Sequence, residues 1–174
     1  MPSNQESEAG KDHGRHGDIK PANILWFRKD PNDSNPHSKG ILKISDFGFA
    51  DFHGPKSKSN VPSNDIMGLT DGYRAPELDV TKRVSPRYDI WSFGCVLLEF
   101  MVWRMLEGED GVEGFSVQRK EESTAIIQED NFFNLRETPD EGLEALAKRS
   151  VMRMFDTLIT HSKRTAFTQD MSTM

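Results

Sequence analysis

The sequence predicts an α+β domain, mostly α-helical, with a short β-hairpin near its beginning. Three observations carry this. Ile24 to Phe27 and Ile41 to Ser45 are short apolar runs on either side of a polar connection, and in the second Leu42 and Ile44 alternate with Lys43 and Ser45, the period of a strand. Residues 88–106 are apolar at helical spacing. Leu143, Leu146, Ala147, Val151, Met154 and Leu158 then recur at three and four, the mark of a helix with one buried face.

Taken in order, residues 1–12 hold only Met1 and Ala9 as apolar side chains and cannot bury enough surface to offset ordering, so they read as a loose tail. One domain then runs over 13–168, and 169–174 form a second tail. The hairpin's connection, RKDPNDSNPHSKG, carries carboxylates, but a calcium loop counted from Asp30 places Asn35 where glycine is required and Ile41 where glutamate is required. After Phe49 the stretch ADFHGPKSKSNVPSND is rich in turn formers and has no period, which marks a surface loop long enough to be functional. The helix from Tyr88 to Leu106 is apolar on nearly every face and is expected to be buried around most of its circumference, with Gly108 as its stop. Thr138, Pro139 and Glu141 fit the cap, first position and third position of a new helix, so the last amphipathic helix is expected to begin there.

At 174 residues and a net charge of −6, with both signs interspersed, the chain lacks the clustered lysine and arginine of a nucleic-acid surface. Cys95 is the one cysteine and no basic-then-apolar leader opens the sequence, so the expected home is the reducing cell interior, the cytoplasm with the nucleus left open; the sequon at Asn32 would be idle there. Ser92, Glu99 and Arg104 interrupt the longest apolar stretch, which also falls short of the roughly 20 residues a bilayer span needs.

The chemistry concentrates in HGDIKPANIL, residues 16–25. Pro21 prevents a regular helix, so Asp18, Lys20 and Asn23 sit on a loop that feeds the strand at Ile24. A carboxylate, an ammonium and an amide oxygen together suit phosphate chemistry: one group orients a hydroxyl, one offsets phosphate charge, one ligates a hard metal ion. SDFG at 45–48 follows the second hairpin strand, and Asp46 would emerge beside Asn23 as a further metal ligand. His13 and His16 lie three apart, but no third zinc ligand recurs nearby.

HGDIKPAN, DFG, YRAPE at 73–77 and DIWSFG at 89–94 stand in the order of the eukaryotic protein kinase motifs, and the chain resembles that family. DIWSFGCVLLEFMVW with the later NFFN more narrowly resembles fungal serine/threonine kinase-like proteins. The resemblance covers His13 to Phe167 and implies the C-terminal lobe of a protein kinase, with the hairpin at its catalytic loop. It implies ATP and Mg²⁺ as cofactors and a protein serine or threonine as phosphate acceptor. Asp18 would accept or orient the hydroxyl proton, Lys20 would steady the transferred group, and Asn23 and Asp46 would hold Mg²⁺. Thr70 would bond Asp18 and Lys20 and shape the substrate site. The remaining matches imply scaffolding: His16 within the catalytic loop, Glu77 paired with Arg164, and Asp89 accepting backbone bonds around His16 and Gly17. Cys95 reads as a small buried residue with an inert thiol.

Two departures matter. Gly17 stands where the family usually has an arginine, so the cation that meets an activation-loop phosphate is absent and control by phosphorylation at Ser57, Ser59 or Ser63 is in doubt. The short stretch ahead of Asp18 leaves no room for a glycine-rich loop or nucleotide lysine, so the chain reads as a large-lobe fragment that binds ATP poorly as it stands. A helix that would flank the central one is missing as well, leaving Phe93 and Leu97 open to a covering partner. Two rival readings follow. Small-molecule phosphotransferases of the aminoglycoside and choline kinase kind share the HGD-to-asparagine spacing, but Lys20, YRAPE and DIWSFG discriminate against them. A non-catalytic interaction module using the uncovered apolar face is the other.

Overall fold

The computed structural model describes residues 13–28, 32, 40–53, 61–62, 71–85, 87–106, 108–125, 128–139 and 142–172. The expected tail at 1–12 lies outside them. Strand β1 (His13–Arg15) pairs antiparallel with β4 (Asp51–His53), and β2 (Ile24–Phe27) pairs with β3 (Ile41–Ile44) in the register Ile24 with Ile44 and Phe27 with Ile41. The expected hairpin is therefore present. The stretch after Phe49 is less irregular than its composition implied: besides β4 it contributes β5 (Val61–Pro62), which pairs with β6 (Arg83–Val84). Strands of two or three residues are too short to display a period, so sequence patterning could not reveal them.

Helix α1 (Glu77–Thr81) leads to α2 (Arg87–Met105), the central helix, followed by α3 (Gly108–Glu121). Strands β7 (Phe133–Thr138) and β8 (Gly142–Ala147) form a hairpin, and α4 (Arg149–Ser172) closes the order. The main core gathers Cys95, Leu98 and Val102 of α2, Phe115 of α3, Phe132, and Val151, Met154 and Leu158 of α4. Each large apolar side chain buried this way contributes about 1.5–3 kcal/mol. No helix among the described residues is long and apolar enough to cross a membrane.

The expectation that α2 is buried around most of its circumference is corrected. Packing against α3 and α4 covers one side only, and Ile90, Phe100 and Trp103 are exposed at 71%, 53% and 48%. Phe93 and Leu97 belong to the same open side. Helix α3 escaped the sequence reading because Gly108, Gly111 and Gly114 dilute its pattern, although Val112, Phe115 and Arg119 recur at three and four and turn inward.

The start of the last helix is also corrected. Thr138 does not cap a helix; it ends β7, which pairs with β8 in register from Phe133 with Ala147 to Thr138 with Gly142. Gly142 has φ +80°, a left-handed value closed to a helix interior, and the Thr138 hydroxyl donates to the Gly142 carbonyl at 3.0 Å. Leu143 and Leu146 stay 38% exposed instead of joining the core. The helix begins at Arg149, where Glu122 at the end of α3 accepts the Ser150 amide at 2.7 Å. That contact satisfies a first-turn donor from another element, a partner no local cap signal encodes.

Candidate active site

The HGDIKPAN loop is fixed from below by α2. Asp89, in the first turn of that helix, accepts the His16 amide through Oδ2 at 2.6 Å and the Gly17 amide through Oδ1 at 2.9 Å. Both carboxylate oxygens are thus spent on consecutive backbone donors, and charge-assisted bonds of this kind are the strong ones. His16 then joins two loops: its Nε2 donates to the Ser45 carbonyl at 3.1 Å, while Nδ1 accepts the Asp18 amide at 3.3 Å. That pattern requires the neutral ring with its proton on Nε2. The same ring lies 4.9 Å from Phe47.

Gly17 has φ +81°, and a Cβ built there would meet the Phe49 carbonyl oxygen at 2.7 Å. The residue is therefore a requirement of the backbone path, and no side chain, arginine included, is accommodated at this position without a shift.

Asp18 and Asn23 are buried. The Asn23 amide nitrogen donates to the Asp18 carbonyl at 2.9 Å and to Asp18 Oδ2 at 3.0 Å, and Lys20 Nζ reaches the same Oδ2 at 2.7 Å. A one-turn 3-10 helix at Pro21–Asn23, begun by a proline, folds the chain back so that residues 18 and 23 meet. Beyond it the Asn23 carbonyl accepts both the Ser45 amide, at 2.8 Å, and its hydroxyl, at 3.1 Å. Asp46 comes next in the chain, in the left-handed region at φ 65°, with Oδ1 accepting the Gly48 amide at 3.2 Å. Asp18, Lys20 and Asn23 consequently form one contact cluster, and Asp46 follows directly on the Ser45 that the Asn23 carbonyl holds.

This donor set fits a hard divalent cation. With the Asn23 nitrogen committed to Asp18, its oxygen is the atom a cation can use, and Asp46 adds an exposed carboxylate anchored to the same backbone junction. Among the described residues no cluster of three or more His, Cys, Asp or Glu side chains could hold a metal. A site here draws instead on the mixed amide and carboxylate pair.

The remaining predicted site residues fall differently. Thr70 lies outside the described residues. Glu77 opens α1 and accepts the Ser85 hydroxyl at 3.4 Å; Arg164 lies in α4, but its side chain is outside the described part, so their pairing is unresolved by the geometry. Burial pushes the Cys95 thiol up to about 12, with the Glu99 charge adding to it, which makes it a poor nucleophile.

Sequence reasoning missed a polar network behind the YRAPE segment. The Tyr73 hydroxyl donates to Glu99 at 2.6 Å, and Ser92 donates to the Tyr73 carbonyl at 2.8 Å. Burial, then the Glu99 hydrogen bond and charge, hold the phenol far above its ordinary value. Arg119 pairs with Glu99 at 2.7 Å and Asp130 at 2.8 Å while stacked 4.2 Å from Phe115 and 4.3 Å from Phe132. Arg74 meets Asp79 at 2.9 Å and Glu129 at 2.7 Å. One signal was available: Glu99 is a lone acid within an apolar helix, and a buried charge implies a partner. A cavity of ≈ 350 Å³ beside Arg74, bounded by Ser123, Asn131 and Phe133, is lined by none of Asp18, Lys20, Asn23 and Asp46.

Comparison with known proteins meets this geometry. The family described as the protein kinase domain matches residues 12–169. The chain is 36% identical over 127 residues to cyclin-dependent kinase 11 of Dictyostelium discoideum, covering 72% of this chain and 28% of that protein. It is 37% identical over 100 residues to the serine/threonine-protein kinase SSN3 of Candida albicans, covering 55% of this chain and 14% of that one. With the serine/threonine-protein kinase nekl-2 of Caenorhabditis elegans it shares 35% identity over 96 residues, covering 55% and 23%. The chain thus spans less than a third of the length of these curated relatives. With the family match running over nearly its whole length and the loop cluster in place, the chain belongs to the protein kinase domain family.

Proposed function

We propose that this chain carries the catalytic loop of a serine/threonine protein kinase, which transfers the γ-phosphoryl group of ATP to a protein hydroxyl. The observation that carries the reading is the buried Asp18 carboxylate, held between the Asn23 amide and the Lys20 ammonium on a loop pinned by Asp89. In this role Asp18 orients the acceptor hydroxyl and takes its proton as the new oxygen–phosphorus bond forms and the bond to the β-phosphate oxygen breaks. Lys20, bonded to the same carboxylate, offsets negative charge on the transferred group. Asn23 and Asp46 are the residues that would hold Mg²⁺, which when bound neutralises charge shared between the phosphates. Thr70 is assigned to the acceptor side of the site, on sequence alone.

The test is phosphotransfer from magnesium-ATP to serine- and threonine-containing peptides by the natural polypeptide that carries this chain, with Asp18→Asn alongside. A loss of roughly 10²-fold or more in kcat is expected. Transfer that survives the substitution at full rate would remove Asp18 from the chemistry. A biological activity that needs the chain but not Asp18 would favour the non-catalytic interaction module, for which the exposed side of α2 is the supporting observation. Transfer to aminoglycosides or choline, without transfer to peptides, would favour the small-molecule reading.

A further inference from the structure

Helix α2 has two unlike sides. Ser92, Cys95, Leu98, Glu99 and Val102 are buried against the rest of the chain. Ile90, Phe93, Leu97, Phe100 and Met101 recur at three and four on the other side and stay between 43% and 71% exposed. Side chains so spaced share one seam of a helix, the spacing by which two helices interlock. No charged residue falls within the seam before Arg104, which is exposed in the last turn and ends it. Trp103 flanks it, its ring centroid 5.9 Å from that of Phe100.

The size of this surface limits what covers it. At about half of the roughly 200 Å² that a large apolar side chain can bury, these six residues leave about 600 Å² open. The largest apolar patch of a lone monomer is roughly 300–600 Å², so this one stands at the upper limit. Two copies meeting through it bury about 1,200 Å² in total, the lower limit of a specific, stable interface. Shape argues the same way. Gly94 lies beside the seam, and a Cβ built there meets nothing within 4 Å. Glycine is unfavourable inside a helix, and no close contact within the chain requires it here. It leaves a notch in the helix surface between the positions of Ile90 and Leu97.

We propose that the exposed side of α2 is a self-association surface, on which a second copy of this chain lays its own α2 antiparallel about a twofold axis at Leu97. In that register Leu97 meets Leu97, Phe93 meets Met101, and Phe100 of each copy falls on the Gly94 notch of the other. The seam is thus complementary to itself: an aromatic knob faces a hole, and a thioether faces a ring, a favourable contact. Parallel pairing is disfavoured, because it sets the two Arg104 guanidiniums together at the end of the seam and aligns the two helix dipoles. A twofold contact uses the same patch on both copies, so association stops at two. The inference does not depend on phosphotransfer.

Sedimentation equilibrium of the full chain from roughly 1 to 100 μM reads the mass directly. A mass that rises to two chains and stays there is expected. Leu97→Glu places two carboxylates on the axis and should weaken association by on the order of tenfold or more. Its far-UV circular dichroism should match that of the unaltered chain, because the position is exposed in the single copy. Gly94→Leu separates a specific contact from mere stickiness. It adds apolar surface and a better helix former and fits the single chain, yet by filling the notch it should weaken association by a similar factor. Under mild oxidation Leu97→Cys should form an intermolecular disulfide and Arg104→Cys should not; Cys95 is buried and does not compete. A single-chain mass throughout overturns the proposal and leaves this side of α2 to another protein or to a further segment of the natural polypeptide. Growth beyond two copies, tighter association of Gly94→Leu, or cross-linking through Arg104→Cys in place of Leu97→Cys overturns it as well.

Discussion

Arg119 and Glu99 meet inside the molecule with Nη2 and Oε1 2.7 Å apart, joining the last turn of α3 to the middle of α2. The other Glu99 oxygen accepts the Tyr73 hydroxyl, so the pair reaches the YRAPE segment directly. Removing one side of a buried pair leaves the other charge uncompensated. Arg119→Ala is expected to destabilise the chain by about 3–5 kcal/mol, and Tyr73→Phe by about 1.5–3 kcal/mol for the lost bond to a charged acceptor. Equilibrium urea denaturation checks both, and a neutral Arg119→Ala would show that the pair is solvated after all.

Asp89 supports the HGDIKPAN loop by accepting two consecutive backbone amides, those of His16 and Gly17. Asp89→Ala should cost about 3 kcal/mol and speed amide hydrogen exchange at His16 and Gly17 above all other positions in the loop. Asp89→Asn keeps one acceptor and should fall between the two. Protection at His16 that is unchanged in the alanine variant would contradict the geometry.

Lys148 gives the chain a signature in pH. Burial pulls its ammonium down to about 8, against 10.5 in an unfolded chain, although its Nζ donates to the Arg119 and Glu129 carbonyls at 2.8 Å each. Between those values the unfolded state binds more protons, so this group makes stability rise with pH from about 8 to 10.5 and contributes no slope below 8. The slope is bounded at about 1.4 kcal/mol per pH unit. Comparing the chain with Lys148→Met at each pH cancels the titration of other groups, and the difference should grow in the chain's favour across that window. A flat difference would mean that the folded lysine titrates normally.

Gly142 separates a hairpin from a helix by the sign of one substitution. In a helix interior Gly→Ala stabilises by about 1 kcal/mol. At φ +80° in the β7–β8 turn, Gly142→Ala should destabilise by about 1–2 kcal/mol instead. Thermal unfolding reads the sign directly.

The meeting of Asp18, Lys20 and Asn23 was legible because its spacing is local: a proline turn brings residues 18 and 23 together, and a short hairpin brings 23 to 45. The β2–β3 hairpin and α2 were legible for the same reason, since each announces its period within its own residues. The β7–β8 hairpin was misread because TPDE satisfies a helix cap and a strand turn equally well in one dimension, and the apolar spacing at three and four ran on across it. Pairing with Phe133 to Thr138 decided the outcome.

By itself, then, the sequence determined the family motifs, the β2–β3 hairpin and the helical period of α2, all of which rest on interactions within a few residues. Only the tertiary structure decided which side of α2 is covered and that Glu99 finds Arg119 and Tyr73. The physical reason is desolvation. Whether a charge or an apolar side chain is favourable depends on what other elements place beside it, and no run of neighbouring residues specifies that.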